Sequence, residues 1–401
     1  MPAQRRARAS SEIFLVFLRL GCTSFGGPIA HLGYFQRELI DKRAWCSKET
    51  YAEIVALAQS VPGPASSQTG FALGLLRGGL RGGLAAFLGF TLPSALLMFA
   101  FAFGHSLLTG PISLRALHGL ELVAVAIVAQ AVLSMRSSLA PDIQRIVIAF
   151  AATAITLLLP THFATLIAIA TGLLAGLLVC RTTQADPPPD APPSPISRTT
   201  GLIAGALFAL LLIASELPSH THTATLFPIA AAFYRSGALV FGGGHVVLPL
   251  LETAVVSPNW LSQPTFVAGY GAAQAVPGPL FTFAAYLGAS IGMPAHHAAL
   301  YSLAALFGIF LPGLLLMLAI LPFWATLRTQ LALRSALRGI NASVVGVLLA
   351  ALIRPLATTA IHSLEDIFFA SAALALLLFT NAPTWAIVLS GALLCALIPT
   401  L

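Results

Sequence analysis

The string Gln-x-Val-Pro-Gly-Pro occurs twice in this 401-residue chain, at residues 59–64 and 274–279, and each copy interrupts a long apolar run. A proline has no N–H to donate and pushes the residue before it into extended conformations. Pro62 and Pro64 around Gly63, like Pro277 and Pro279 around Gly278, therefore stop an α-helix. Pro64 also suits the first position of a following helix, because its φ is preset and its missing N–H would have been unpaired there. Each copy thus predicts a helix, a break and a second helix whose first N–H groups and positive dipole end face the break.

Apolar windows of spanning length surround both breaks, at about 12–30, 51–76, 80–106, 114–135, 142–160 and 162–180, then at about 200–216, 226–243, 263–292, 296–322, 334–354, 362–379 and 383–400. The chain is 58% hydrophobic and 8% charged, whereas a soluble domain carries roughly 25% charge. An all-α polytopic membrane protein is expected, with the lipid bilayer as its surroundings. At that depth, helix starts opposite a break are how transporters build anion sites. The net charge of +7 comes without a dense basic stripe, which argues against nucleic acid as a partner. Cys22, Cys46, Cys180 and Cys395 lack the spacing of a metal site or a disulfide framework, and no metal or cofactor is expected. Arg5, Arg6 and Arg8 ahead of an apolar run mimic a signal sequence, but Arg19 interrupts the run, so residues 1–22 are expected to stay as an uncleaved first helix.

The two halves repeat. Arg19 and Phe25-Gly26-Gly27 answer to Arg235 and Phe241-Gly242-Gly243, Gln59 to Gln274, and Leu92-Pro93 to Leu311-Pro312, in the same order and at similar spacing. The expected organisation is an N-terminal repeat over 1–180, a Pro-rich extended linker over 181–200, and a C-terminal repeat over 201–401 with one extra leading helix. An odd number of intervening segments would invert the second repeat of about six segments relative to the first. The basic loop at 31–50 and its counterpart at 245–262, which has no Lys or Arg, agree with opposite faces; Arg5, Arg6 and Arg8, across the first segment from the basic loop, do not.

Arg19 and Arg235 each stand near the middle of an apolar window, where an arginine costs roughly 2.5–3.5 kcal/mol on insertion scales and needs a use or a partner. Either they snorkel or pair with Glu12 or another buried acid, or they neutralise an anion beside the helix starts. A helix terminus contributes only about 0.3–2 kcal/mol, too little alone to dehydrate a divalent anion. Gly26-Gly27-Pro28 and Gly242-Gly243-Gly244 permit close backbone approach or unwinding. His31 and His245 follow them; a lone intramembrane histidine is more often structural, yet its pKa suits proton coupling. Glu53, Glu121 and Glu252, in or beside spans, are further coupling candidates. Ser66, Ser67, Gln68 and Thr69 follow the first break and Leu280, Phe281, Thr282 and Phe283 the second, so the first is expected to be the better ligand cradle. A membrane-embedded enzyme lacks support: Gly288-Ala289-Ser290-Ile291-Gly292 fits GxSxG, but it lies in an apolar helix rather than after a strand.

Together, Phe25-Gly26-Gly27-Pro28 with Ala30-His31, Gln59 with Pro62-Gly63-Pro64 and Gln68, Phe241-Gly242-Gly243-Gly244 with Leu248-Pro249-Leu250 and Glu252, and Gln274 with Pro277-Gly278-Pro279 resemble the chromate ion transporter family in its long, two-domain form. The resemblance covers roughly 12–355 outside the linker; His245 departs from it, standing where an aromatic is expected in many members. It implies a multi-pass carrier of the bacterial inner membrane that exports chromate, a tetrahedral divalent oxyanion resembling sulfate, and so confers chromate resistance. The driving force would be an ion gradient rather than ATP. A sulfate or other oxyanion carrier is the neighbouring alternative. Oligomeric state stays open, with a homodimer among the options.

Overall fold

The computed structural model describes residues 3–107, 110–159, 163–180, 195–217, 224–241, 244–293 and 296–397. Among them all regular structure is helical. In chain order the helices are α1 (Ala3–Thr23), α2 (Gly27–Phe35), α3 (Lys48–Ser60), α4 (Ala65–Leu107), α5 (Pro111–Leu139), α6 (Ile143–Leu158), α7 (Ala164–Val179), α8 (Arg198–Ser215) and α9 (Leu226–Leu239). There follow α10 (Val247–Val255), α11 (Gln263–Ala273), α12 (Phe283–Gly292), α13 (Ala298–Ile320), α14 (Trp324–Leu327), α15 (Leu331–Ala351), α16 (Thr358–Ala360), α17 (Leu364–Phe379) and α18 (Thr384–Leu397). Ser47, Asp142, Ser197, Ser262 and Ser363 accept from the N–H three residues on and cap α3, α6, α8, α11 and α17. Residues 181–194 of the expected linker lie outside the described residues; α8 stands where the extra leading helix is expected.

Burial is arranged for lipid. Leu202, Ile203, Leu210 and Ile213 of α8 are exposed, while Ser66, Ser67, Gln68 and Thr69 are at most 2% exposed. Water would penalise that distribution and hydrocarbon favours it. Among the described residues, five stretches are long and apolar enough to cross a membrane, Ala65–Gly104, Pro111–Leu139, Arg198–Ser215, Ala298–Leu327 and Leu331–Ala360, with shorter apolar helices between them.

The helix after each Pro-Gly-Pro is short and turns back. Within α4 the helical angles fail at Gly78 and Gly79, so residues 65–77 form a helix about 20 Å long, less than the ~30 Å of a hydrocarbon core. It folds against the rest of α4 so closely that a Cβ on Gly74 would lie 2.4 Å from the Gly82 carbonyl oxygen. α12, 10 residues long, returns through α13 in the same manner, with Gly288 against the Tyr301 carbonyl. Both breaks are thus followed by helical hairpins that do not span on their first arm.

Contacts gather the chain into two compact units, each drawing on both sequence halves: Met1–Ala102, Pro187–Gly244 and Val276–Thr329 in the first, Phe103–Asp186, His245–Ala275 and Gln330–Leu401 in the second. In the first, α8 and α9 pack on α13. A Cβ on Gly21 of α1 would meet the Phe90 carbonyl at 2.7 Å, and one on Gly237 of α9 the Ile309 carbonyl at 2.2 Å. In the second unit, α6 and α7 pack on α15 while α17 and α18 pack on α5, so each half lends two helices to the long helix of the other.

Candidate functional site: the crossing of the two breaks

Gly63 and Gly278 stand at φ 126° and 94°, where any Cβ is strained, and each uses the turn to aim its N–H at the opposite half of the sequence. Gly63 donates to the Val240 carbonyl at 2.7 Å, and Gly278 donates to the Ser24 carbonyl at 2.8 Å. Val240 immediately precedes Phe241, and Ser24 immediately precedes Phe25. The two breaks are therefore tied to the two Phe-Gly-Gly strings with the halves exchanged. Packing repeats the exchange: a Cβ on Gly63 would lie 3.0 Å from Cα of Gly313, and one on Gly278 would lie 2.8 Å from Oγ of Ser94. Gly313 follows Pro312 and Ser94 follows Pro93, the proline positions matched by the repeat.

Polar side chains crowd the first break. Gln68 N–H donates to the Pro64 carbonyl at 2.9 Å, so Pro64 stands one residue outside α4 rather than opening it, and the N–H groups of residues 65–67 fall before the helical ladder. The Gln68 side-chain amide donates to the Pro62 carbonyl at 2.9 Å and the Gly313 carbonyl at 3.1 Å. Ser66 Oγ is 3.3 Å from Nδ1 of His31, whose ring is 1% exposed and meets Phe90 edge-on at 5.3 Å. Ser67 Oγ and Gln68 Oε1, with Ser24 Oγ and Thr91 Oγ1 on adjoining segments, have no hydrogen-bond partner among the described residues. Leaving such groups unmet costs about 1–3 kcal/mol each, which a polar ligand or water would relieve.

The second break is built differently. Residues 280–282 form a 3₁₀ turn in which Thr282 donates both its N–H, at 3.0 Å, and its hydroxyl, at 2.8 Å, to the Pro279 carbonyl. Phe281 and Phe283 occupy the positions that Ser66 and Gln68 hold after the first break, and both are buried.

The other candidates are spread more widely. Gly26 caps α2 and Gly27 opens it, both at positive φ; Gly242 and Gly243 lie outside the described residues, and Gly244 opens the 3₁₀ turn Gly244–Val246. Arg19 is exposed and makes no ion pair among the described residues, since Glu12 stands 3.9 Å from Arg43 instead. Arg235 reaches the end of α8, donating to the Ser215 carbonyl with Glu216 at 4.0 Å. Gln59 is exposed in the last turn of α3. Glu53 is held from both sides: Arg328 Nη1 is 2.8 Å from one carboxylate oxygen and Trp324 Nε1 donates to the other at 2.9 Å.

Gln274, His245, Glu121 and Glu252 belong to the second unit. Gln274 caps α11, and His245 Nδ1 is 2.8 Å from the Tyr270 hydroxyl. Glu121 lies 3.7 Å from His118, whose other ring nitrogen is 2.9 Å from Asp366. Asp366 also accepts the N–H groups of His362 and Ser363. Glu252 lines a hollow with Arg354.

Sequence reasoning missed Ser24, Thr91, Ser94 and Gly313 around the crossing. Ser24 abuts the Phe-Gly-Gly string, and Ser94 and Gly313 follow the paired prolines, so the repeat itself held the signal. Nothing in the sequence marks Arg328 as the partner of Glu53. What the crossing offers chemically is a buried set of neutral donors, N–H and hydroxyl, at a helix start, which suits a dehydrated anion and lacks an assembled nucleophile.

The chain is similar to a chromate transport protein of Cupriavidus metallidurans, 27% identical over 391 residues, covering 96% of this chain and 92% of that one. A chromate transport protein of Pseudomonas aeruginosa is 27% identical over 344 residues, 84% of this chain and 79% of its own. An uncharacterized transporter of Methanocaldococcus jannaschii is 26% identical over 355 residues, 88% of this chain and 85% of its own. No solved structure matches. The chromate transporter family matches twice, over residues 11–177 and 227–396; with an all-helical fold and apolar helices of spanning length, this chain is a membrane transporter, not an enzyme, and belongs to the chromate transporter family.

Proposed function

We propose that the protein is a secondary active carrier that exports chromate across the bacterial inner membrane and confers chromate resistance, working through two inverted repeats. The observation that carries the reading is the exchanged pair of bonds, Gly63 to Val240 and Gly278 to Ser24, which presents the start of α4 with the unpartnered hydroxyl of Ser67, beside those of Ser24 and Thr91, at a buried crossing. The oxyanion binds the N–H groups of residues 65–67 with the Ser67 hydroxyl, while Gln68 holds the break through the Pro62 and Gly313 carbonyls, and Gly26, Gly27 and the second break frame it. Arg19, free of an ion pair among the described residues, brings compensating charge, with Arg235 as its counterpart in the other half. His31, Glu53, Glu121 and Glu252 remain the candidates for proton coupling. Of these Glu252, which makes no ion pair among the described residues, is best placed to exchange a proton.

Neutral donors read charge and tetrahedral shape, which sulfate shares with chromate, so sulfate is the second reading. Inside-out vesicles with imposed pH and voltage gradients test both. Chromate uptake that follows the gradient, resists tenfold sulfate and falls at least tenfold in Arg19→Ala and Arg235→Ala supports the proposal. Equal competition by sulfate favours the broader carrier, and wild-type rates in both arginine variants overturn their assignment.

A further inference from the structure

A hollow of about 310 Å³ lies within the second unit, where α6, α7, α10 and the end of α15 meet. That is room for several waters or for a small anion with part of its hydration shell. Two charged groups share its wall, Glu252 of α10 and Arg354, along with the hydroxyls of Thr165 and Ser257. Arg354 is there because the helix fails there: Pro355 follows it, and Arg354 takes an extended φ of −141° and ψ of 127° inside the π-helical turn Leu352–Ala357, as a residue before proline tends to do. The side chain thus leaves from a break rather than from a continuous helix face.

Glu252 and Arg354 do not close on each other. Among the described residues no carboxylate comes within ion-pair distance of the exposed Arg354, and the half-buried Glu252 across the same hollow does not reach it. Arg354 is the other ionisable group in the wall around Glu252; α6 and α7 bring hydroxyls and carbon. α11, which packs beside α10, brings Tyr270, whose hydroxyl is engaged by His245. An opposite pair held apart across a hollow of that volume is an arrangement for a third charge.

We propose that this hollow is a second oxyanion site in which Arg354 receives the anion and Glu252 gates it. A divalent anion beside an ionised Glu252 is repelled. A protonated Glu252 removes that repulsion and donates a hydrogen bond to an anion oxygen, so anion and proton bind here together. Thr165 and Ser257 supply further hydroxyl donors. The inference rests on the oxyanion-carrier reading but uses none of the residues of the crossing.

The test is equilibrium binding of radiolabelled sulfate, and separately of chromate, to the purified full-length protein in detergent between pH 5.5 and 8. Wild type is expected to bind two anions per chain at the acid end and to lose one of them as pH rises. Arg354→Gln should bind one at every pH. Glu252→Gln, which fixes the neutral form, should keep two across the range. Arg354→Lys keeps the charge if the glutamine variant is misfolded, and it should retain the second site with weaker affinity and the same pH dependence. Two sites in a monodisperse Arg354→Gln, or a Glu252→Gln with the wild-type pH dependence, overturns the proposal. No anion bound by wild type at any pH defeats the carrier reading together with this one, whereas a single pH-independent site untouched by Arg354→Gln defeats this one alone.

Discussion

The two Pro-Gly-Pro breaks share a frame and differ in content. Each glycine turns at positive φ and bonds the carbonyl that precedes the opposite Phe-Gly-Gly, at 2.7 and 2.8 Å. Behind the first glycine an α-helix leaves the N–H groups of residues 65–67 outside its ladder, beside the Ser67 hydroxyl; behind the second, a 3₁₀ turn uses Thr282 internally and fills the space with Phe281 and Phe283. The lesson is that the backbone exchange serves the fold in both copies, while the unpartnered polar atoms gather behind the first.

The largest effect is expected at the approach to the first break, where α3 is pinned through the half-buried Glu53 to Arg328 and Trp324, both buried. Glu53→Ala leaves Arg328 with its carboxylate partner removed, a change of about 3–5 kcal/mol, and thermal melts in detergent should show the corresponding loss of stability. Next come the glycines. Gly63→Ala and Gly278→Ala should each lose about 1–3 kcal/mol from backbone strain, with the clashes against Gly313 and Ser94 adding to it. Similar losses in both, read as midpoint shifts by size-exclusion after heating, are expected of a shared frame; a neutral Gly278→Ala would break the symmetry claimed for it.

The unequal content predicts unequal transport. Gln68→Leu should abolish chromate uptake and cost about 1–3 kcal/mol, because the Pro62 and Gly313 carbonyls lose their donor. Phe283→Leu, at the matching position, should cost under about 1.5 kcal/mol and leave vesicle uptake within twofold. The smallest effect is expected for Ser66→Ala, which removes only the contact with His31, a matter of about 0.5–1.5 kcal/mol.

Much of this was legible in the sequence because it rested on local chemistry. Proline and glycine dictate the breaks, apolar runs dictate helices, and serine caps appear where α3, α8 and α11 begin. The contrast between the polar and aromatic runs after the breaks was visible in residues 65–69 and 280–283. The exchange of halves was not, since the bond from Gly63 to Val240 joins residues far apart in sequence and carries no side-chain signature. Arginine placement was only half legible: the burden of charge at Arg235 was evident, but its use of the Ser215 carbonyl and Glu216 at the end of α8 depends on where the extra helix packs. The glutamates show the same limit. Glu53 and Glu121 look alike in sequence to Glu252, and only the fold gives the first two their partners.

On the proposed reading the first break holds the anion and the second supports it. Placing a carboxylate at matched positions tests this directly, by chromate uptake into inside-out vesicles from Ser67→Asp and Thr282→Asp proteins that remain monodisperse. A tethered carboxylate at the start of α4 should occupy the anion's place, so Ser67→Asp is expected to abolish uptake while Thr282→Asp retains a substantial fraction of it. Equal loss in both, or normal uptake by Ser67→Asp, would contradict the account.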